Sequence, residues 1–352
     1  MNKEIRIGNH MISENSPTFI IAEMSGNHNM DFDRAVAIVK SAKEAGADAI
    51  KLQTYTADTI TLDCDAPCFR LEQDALWDGM ILHKLYQEAY TPWEWQPKLK
   101  KLADELGILL FSSPFDLTSV DFLEGMDVPA YKVASSEIND IPFLKKIAKT
   151  GKPIIISTGI AYREDIERAL RTCKEAGNEN VILLKCSTAY PAPYEEINLK
   201  TIPNMRETFD CIVGLSDHTM GSAVAGAGVA VGAKVIEKHL TLRRSDGGVD
   251  SAFSMEPEEF KEMVDNIRII EKALGSVTYE LTQKQEKSRK YSRSLFVAQD
   301  MKAGDVFTPE NLRSVRPANG LHTMYYEELL GKKIARDAKL GTPMSWELVD
   351  FS

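Results

Sequence analysis

The chain has 352 residues, 43% hydrophobic and 27% charged, the make-up of a globular protein with room for one large domain and a small one. Its net charge of -10 argues against a nucleic-acid partner, which needs a basic surface, yet a few local lysines can still hold a phosphate. The longest uncharged run, Gly221 to Ala233, is too short to span a bilayer and reads as a helix packed on a sheet, so no membrane partner is expected.

From Met1 to Ser16 the sequence is polar and lacks the apolar segment of a secretory signal. Cys64, Cys68, Cys173, Cys186 and Cys211 are irregularly spaced and read as free thiols. Together these features predict a cytoplasmic protein. From Thr18 to about Leu274 short apolar runs alternate with amphipathic stretches. The runs are Phe19–Ala22, Ala49–Leu52, Ile108–Phe111, Tyr131–Ala134, Ile154–Ile156, Val181–Leu184, Cys211–Val213 and Val235–Ile236. Runs of this kind suit strands buried on both faces. Phe32 to Ala45 places Ala35, Ile38, Val39 and Ala42 on one helical face, with Gly46 set to end it; Arg163 to Ala176 and Pro257 to Leu274 read the same way. Gly107, Gly151 and Gly177 also sit where helix ends need a left-handed residue.

Eight such units in about 250 residues predict an α/β fold, a (β/α)8 TIM barrel. An open doubly wound sheet is the runner-up, but the first strand ends Ala22-Glu23-Met24-Ser25-Gly26-Asn27-His28, without a glycine-rich phosphate turn. An insertion from about Thr54 to Trp95, carrying Tyr55, Trp77, Tyr86, Tyr90, Trp93 and Trp95, is expected to cover the active-site face. Residues 1–281 form the expected barrel domain, 282–293 a polar linker, and 294–352 a small C-terminal β-rich domain with turns at Lys302-Ala303-Gly304-Asp305 and Arg316-Pro317-Ala318-Asn319-Gly320.

Polar residues at strand ends are where a barrel builds its site. Here these are Glu23 with Asn27 and His28; Lys51 and Gln53, two apart and so on one face; Ser112 and Ser113; Lys132, Ser135, Ser136 and Glu137; Ser157 and Thr158; Lys185 to Pro191; Ser216, Asp217 and His218; and Glu237, Lys238 and His239. A single serine or threonine of this kind more often caps a helix. Coincidence across eight strands favours a site. Lysines inside a barrel are costly without an anion, so Lys51 and Lys132 predict a bound phosphate or carboxylate whose arrival orders the loops. His218 and His239 end neighbouring strands. They are either two ordinary polar histidines or a pair converging on Mn²⁺, Co²⁺ or another divalent Lewis acid.

Phe19-Ile20-Ile21-Ala22-Glu23, Gly46-Ala47-Asp48-Ala49-Ile50-Lys51-Leu52-Gln53-Thr54, Ser112-Ser113-Pro114-Phe115, Tyr131-Lys132-Val133-Ala134-Ser135-Ser136-Glu137, Gly214-Leu215-Ser216-Asp217-His218, Ile236-Glu237-Lys238-His239 and Gly248-Val249-Asp250-Ser251 together resemble the sialic acid synthase family. Arg293-Ser294-Leu295 and Ser314-Val315-Arg316-Pro317 resemble its antifreeze-like (SAF) domain. Leu76-Trp77-Asp78-Gly79 and Ala89-Tyr90-Thr91-Pro92-Trp93-Glu94-Trp95 resemble its pseudaminic acid branch. N-acetylneuraminate-type members carry Asn-x-Tyr-Pro where this chain has Thr188-Ala189-Tyr190-Pro191, which argues against that product.

The resemblance implies a transferase that joins phosphoenolpyruvate to an N-acetylated amino sugar, 2,4-diacetamido-2,4,6-trideoxy-L-altrose in the pseudaminic branch. Lys51, Gln53, Ser113, Lys132, Ser135, Tyr190 and Ser216 would hold phosphoenolpyruvate. His218 and His239 would hold a divalent metal, Mn²⁺ first with Co²⁺ or Mg²⁺ as alternatives, to polarise the sugar aldehyde. Glu23, Glu137 and Asp250 would face the sugar and the reacting water. Arg316 from a second subunit would reach the acetamido group in a domain-swapped homodimer. Three rivals stand beside this reading: an N-acetylneuraminate or legionaminate synthase using an N-acetylmannosamine-type acceptor, a Schiff-base aldolase using Lys132 or Lys185, and a sugar-binding protein with an inactive barrel.

Overall fold

Eight parallel strands close into a barrel in the computed structural model, which describes residues 1–71 and 79–352. They are β1 (Phe19–Glu23), β2 (Ala49–Thr54), β3 (Leu109–Pro114), β4 (Tyr131–Val133), β5 (Ile154–Ser157), β6 (Val181–Cys186), β7 (Ile212–Ser216) and β8 (Val235–His239). Each overlaps an apolar run recognised in the sequence, most of them reaching past its carboxyl end into the polar residues. Closure excludes the open sheet, because β8 pairs in parallel with both β7 and β1. Ile20, Ile50, Leu110, Ile155 and Leu183 are fully buried, as strands sandwiched between a barrel interior and a helical layer require.

A helix follows each strand: α1 (Phe32–Glu44), α2 (Gln96–Leu106), α3 (Leu117–Gly125), α4 (Ile141–Ala148), α5 (Arg163–Glu175), α6 (Thr201–Phe209), α7 (Ala223–Ala230) and α8 (Pro257–Leu274). In α1 the Asp31 carboxylate accepts from the amides of Asp33 and Arg34, which fixes the start. Ala35, Ile38, Val39 and Ala42 are its buried face, and Gly46 adopts a positive φ of 87° just past the end. The small-residue run forms α7. Its glycines permit close approach: a Cβ at Gly226 would meet Ile270 Cδ1 at 2.8 Å, and one at Gly228 would meet Leu215 Cδ2 at 2.9 Å. A hairpin, Ile5–Ile7 with His10–Ile12, adds Ile5, Ile7 and Ile12 to the core and turns against Leu109, the first residue of β3. That places it at the amino ends of the strands and leaves the carboxyl ends to the loops.

The chain divides into two compact units, Met1–Gly275 and Ser276–Ser352. In the second, β9 (Ser294–Val297) pairs antiparallel with β10 (Leu312–Val315), and β11 (Lys333–Ile334) with β12 (Val349–Asp350). Leu295, Val297, Phe307, Leu312, Leu329 and Ile334 form its separate core. The polar stretch read as a linker contains a helix, Gln283–Arg289, because Thr282 and Gln285 form a reciprocal capping box. Among the described residues, no helix is long and apolar enough to cross a membrane.

Candidate active site

At the carboxyl ends of the strands lies a cavity of about 530 Å³. It is lined by Glu23, Lys51, Gln53, Ser113, Lys132, Ser135, Glu137, Tyr190, Ser216, His218, His239 and Asp250, so these sequence-predicted residues come together in one place. Arg316 belongs to the second unit, where it is exposed one residue past β10. Residues 76–78 of the first branch-specific segment, Trp77 among them, lie outside the described residues.

Strand register explains the convergence. Glu23 of β1 is the register partner of Lys51 on β2, Gln53 is the partner of Ser113 on β3, and Glu237 of β8 is the partner of Ser216 on β7. Alternation then sends Lys51 with Gln53, and Glu237 with His239, to the same face. Glu137 lies on a 3₁₀ turn, Ser135–Glu137, just after β4. Asp250 precedes the turn Ser251–Phe253 beyond β8 and accepts from the Ser25 hydroxyl and, at 3.5 Å, the Gly26 amide.

The two interior lysines do not wait for an external anion, contrary to the expectation from sequence. Lys51 is ion-paired with Glu23, sits 3.9 Å from Glu237 Oε2, and donates to Ser113 Oγ at 3.1 Å. Lys132 donates to Glu237 Oε1 at 3.2 Å, and Ser216 donates to the same oxygen at 3.0 Å. Two buried ammonium groups therefore face two buried carboxylates, so their mutual repulsion is balanced within the protein and needs no ligand to relieve it. The sequence places Glu237 among the strand-end candidates but gives it no role in the site. Its signal was present: on a strand, Glu237 must share the face of His239.

The carboxyl groups divide in their titration. Burial pushes Glu23 up to about 7, against the pull of Lys51. Burial also pushes Glu137 up to about 7, with Lys132 opposing; its Oε2 is buried without a hydrogen-bond partner. Burial acts on Glu237 in the same sense, but Lys132 and Lys51 outweigh it and hold that carboxylate low. Burial raises Asp250 too, with the Ser25 hydroxyl opposing, so of the four carboxyl groups in the cavity Glu237 alone is held low.

His218 and His239 stand with ring centroids 5.2 Å apart. His218 Nδ1 lies 3.0 Å from the Ser187 carbonyl and donates its proton there, and against the lowering effect of burial Cys186 and that carbonyl raise the pKa of the ring. His239 is held well below its usual range by burial and then by His218, Lys51 and Lys132, and its Nδ1 is buried with no hydrogen-bond partner. Two adjacent imidazoles, one with an orphaned nitrogen, fit a divalent ion that takes its other ligands from water and substrate oxygen. Among the described residues, no cluster of three or more His, Cys, Asp or Glu side chains is grouped to hold a metal by protein ligands alone.

Other polar residues at the strand ends turn out structural. Asn27 donates to the Leu240 carbonyl at 3.0 Å and to Ser254 Oγ at 2.9 Å. His28 accepts the Met30 amide at 3.1 Å and contacts Thr91 Oγ1 at 3.2 Å, and burial lowers its pKa to about 4. Lys185 donates to the Cys186 carbonyl at 2.8 Å. Lys238 points away from the interior, bonded to Asp217 Oδ2 at 2.7 Å and the Thr219 carbonyl at 2.6 Å. The five cysteines are free thiols.

The sequence matches the NeuB family over residues 38–279 and the SAF domain over residues 292–350. It is 46% identical to pseudaminic acid synthase of Campylobacter jejuni, covering 96% of this chain and 97% of that one. It is 42% identical to pseudaminic acid synthase of Helicobacter pylori, covering 96% and 99%. Among solved structures it resembles the spore coat polysaccharide biosynthesis protein SpsE of Bacillus subtilis, with TM-score 0.66 and 33% identity over 99% of both chains.

Proposed function

The chain belongs to the sialic acid synthase (NeuB) family, and on that premise we propose that it condenses phosphoenolpyruvate with 2,4-diacetamido-2,4,6-trideoxy-L-altrose and water, giving pseudaminic acid and phosphate. The observation that carries this reading is one cavity joining Lys51 and Lys132, the near-neutral carboxyls Glu23 and Glu137, and the imidazoles of His218 and His239.

Lys51 and Lys132 receive the phosphate and carboxylate of phosphoenolpyruvate, and burial makes each such contact stronger than in water. Gln53, Ser113, Ser135, Tyr190 and Ser216 add neutral partners. Glu237 holds the two ammonium groups side by side until the substrate arrives. C3 of phosphoenolpyruvate attacks the aldehyde carbon of the open-chain sugar. His218 and His239 would hold a divalent ion, Mn²⁺ in the first instance, which supplies Lewis-acid polarisation of the carbonyl when bound. The cation left at C2 is captured by water. Glu137 orients that water and takes its proton, a role that suits a carboxyl titrating near 7. The former aldehyde oxygen takes up a proton to become a hydroxyl, and the C2 hydroxyl then collapses to the ketone, giving its proton to the departing phosphate as the C2–O bond breaks. Glu23 and Asp250 hold sugar hydroxyls, and Arg316 of a second copy, in a domain-swapped homodimer, contacts an acetamido group.

The test is phosphate release from phosphoenolpyruvate with Mn²⁺, comparing the diacetamido-trideoxy altrose with N-acetylmannosamine, with and without EDTA. Release with the former alone, abolished by EDTA, is expected. Release with N-acetylmannosamine alone would reassign the acceptor, and release that survives EDTA would remove the metal from the account.

A further inference from the structure

The catalytic cavity has one wall that the condensation chemistry does not explain. Phosphate, carboxylate and hydroxyl groups call for polar partners, and the barrel strands supply them. Yet the insertion between β2 and α2 sends a helix, Leu82–Ala89, to the same cavity. The cavity-lining residues of this helix are Leu82, Leu85, Tyr86 and Ala89. Their spacing, i, i+3, i+4 and i+7, is one continuous helical face. Lys84, Gln87 and Glu88 on the remaining surface are exposed. An amphipathic helix thus turns its apolar face to a catalytic cavity instead of to the barrel core.

The helix is fixed in that orientation from behind. His83 is buried, with Nε2 2.8 Å from Asp58 Oδ1 on the neighbouring helix Ala57–Ile60. Tyr86 meets Tyr55 edge-on at 5.6 Å between ring centroids, and Tyr55 meets Phe115 in the same manner at 5.2 Å. Such a wall stabilises apolar groups on a ligand and penalises hydroxyls, which would lose water there without gaining a partner.

We propose that the Leu82–Ala89 helix selects the acceptor: its Leu82, Leu85, Tyr86 and Ala89 face receives the C6 methyl and acetamido methyl groups of a 6-deoxy-diacetamido sugar and disfavours sugars hydroxylated at C4 and C6. This rests on the acceptor class proposed above and names the residues that read it. Phosphoenolpyruvate sits among the strand-end residues and is untouched by the selection.

The experiment compares wild-type enzyme with Leu82→Asn and Leu82→Ala, using both acceptors under saturating Mn²⁺. Leu82 is half-buried at the first turn of its helix, and an unchanged KM for phosphoenolpyruvate reports that the polar part of the cavity is intact. The expected result for Leu82→Asn is a loss of about 10- to 200-fold in kcat/KM for the diacetamido-trideoxy altrose, the range for a lost methyl-sized apolar contact. Leu82→Ala should lose less, and the ratio of the two acceptors should move toward N-acetylmannosamine in both variants. Wild-type turnover of the deoxy sugar with an unchanged ratio in both variants would overturn the selecting wall alone. Wild-type failure to use the deoxy sugar would overturn the acceptor class and the wall together.

Discussion

Strand β8 sets two uses of buried charge side by side. Glu237 faces the barrel interior, where it shares Lys51 and Lys132 with Glu23 beside a cavity. Lys238, the next residue, faces the helical layer, where Asp217 and the Thr219 carbonyl enclose it. All of these residues are nearly inaccessible, at most 4% exposed, so burial does not distinguish them. Closure does. Lys238, Asp217 and Thr219 do not line that cavity. Around Lys132 the same pairing opens onto a cavity where Glu137 Oε2, Ser157 Oγ and His239 Nδ1 have no hydrogen-bond partner. A buried lysine is structural when its partners enclose it and functional when they leave it a face for a ligand.

The largest expected effect breaks the enclosed pair. Lys238→Met leaves Asp217 buried without its cation and should lower stability by about 3–5 kcal/mol in denaturant unfolding, while turnover per folded molecule stays at the wild-type value. Lys132→Met should cost less stability, because Glu237 keeps Lys51 at 3.9 Å and the Ser216 hydrogen bond, and far more rate. It leaves the Lys51–Glu23 pair in place and should cut kcat/KM by about 10²–10³-fold, the range for losing one preorganised charge-stabilising contact. Comparable rate losses in both variants would dissolve the distinction.

Glu137 sharpens the comparison through pH. Its folded-state pKa is raised from 4.5 to about 7, so below 4.5 the group is neutral in folded and unfolded chains alike, and its stabilising contribution is lost as pH rises from 4.5 to about 7, staying lost above. Glu137→Gln should therefore melt as wild type does at pH 4 and higher than wild type at pH 8. As the base, Glu137 should give a kcat profile that rises through about pH 7, and Glu137→Gln should lose that limb with about 10²-fold of the rate. A variant that keeps the limb would move the base to another group.

Much of this was legible in the sequence because two strong signals coincide. Strands sandwiched inside a barrel must be apolar throughout, which exposed all eight runs, and glycines such as Gly46 and Gly107 marked helix ends. Polar residues breaking those runs at their carboxyl ends, such as Lys51 and His239, then stood out. Three-dimensional pairing was not legible. Lys51 and Lys132 implied an anion, but strand order around the barrel is what supplies Glu23 and Glu237 as that anion. The Gln283–Arg289 helix was masked by its charge, since its exposed surface carries no apolar stripe. The Leu82–Ala89 stripe was hidden because it answers to a cavity, and its neighbours suggested only an aromatic-rich loop.

The central claim, that the interior lysines are the phosphoenolpyruvate site and Lys238 is not, is tested most directly by calorimetric titration of phosphoenolpyruvate into wild type, Lys132→Met and Lys238→Met. The account predicts that binding is retained in Lys238→Met and lost or weakened at least about tenfold in Lys132→Met, the equivalent of 1.4 kcal/mol. Wild-type affinity in Lys132→Met would contradict it.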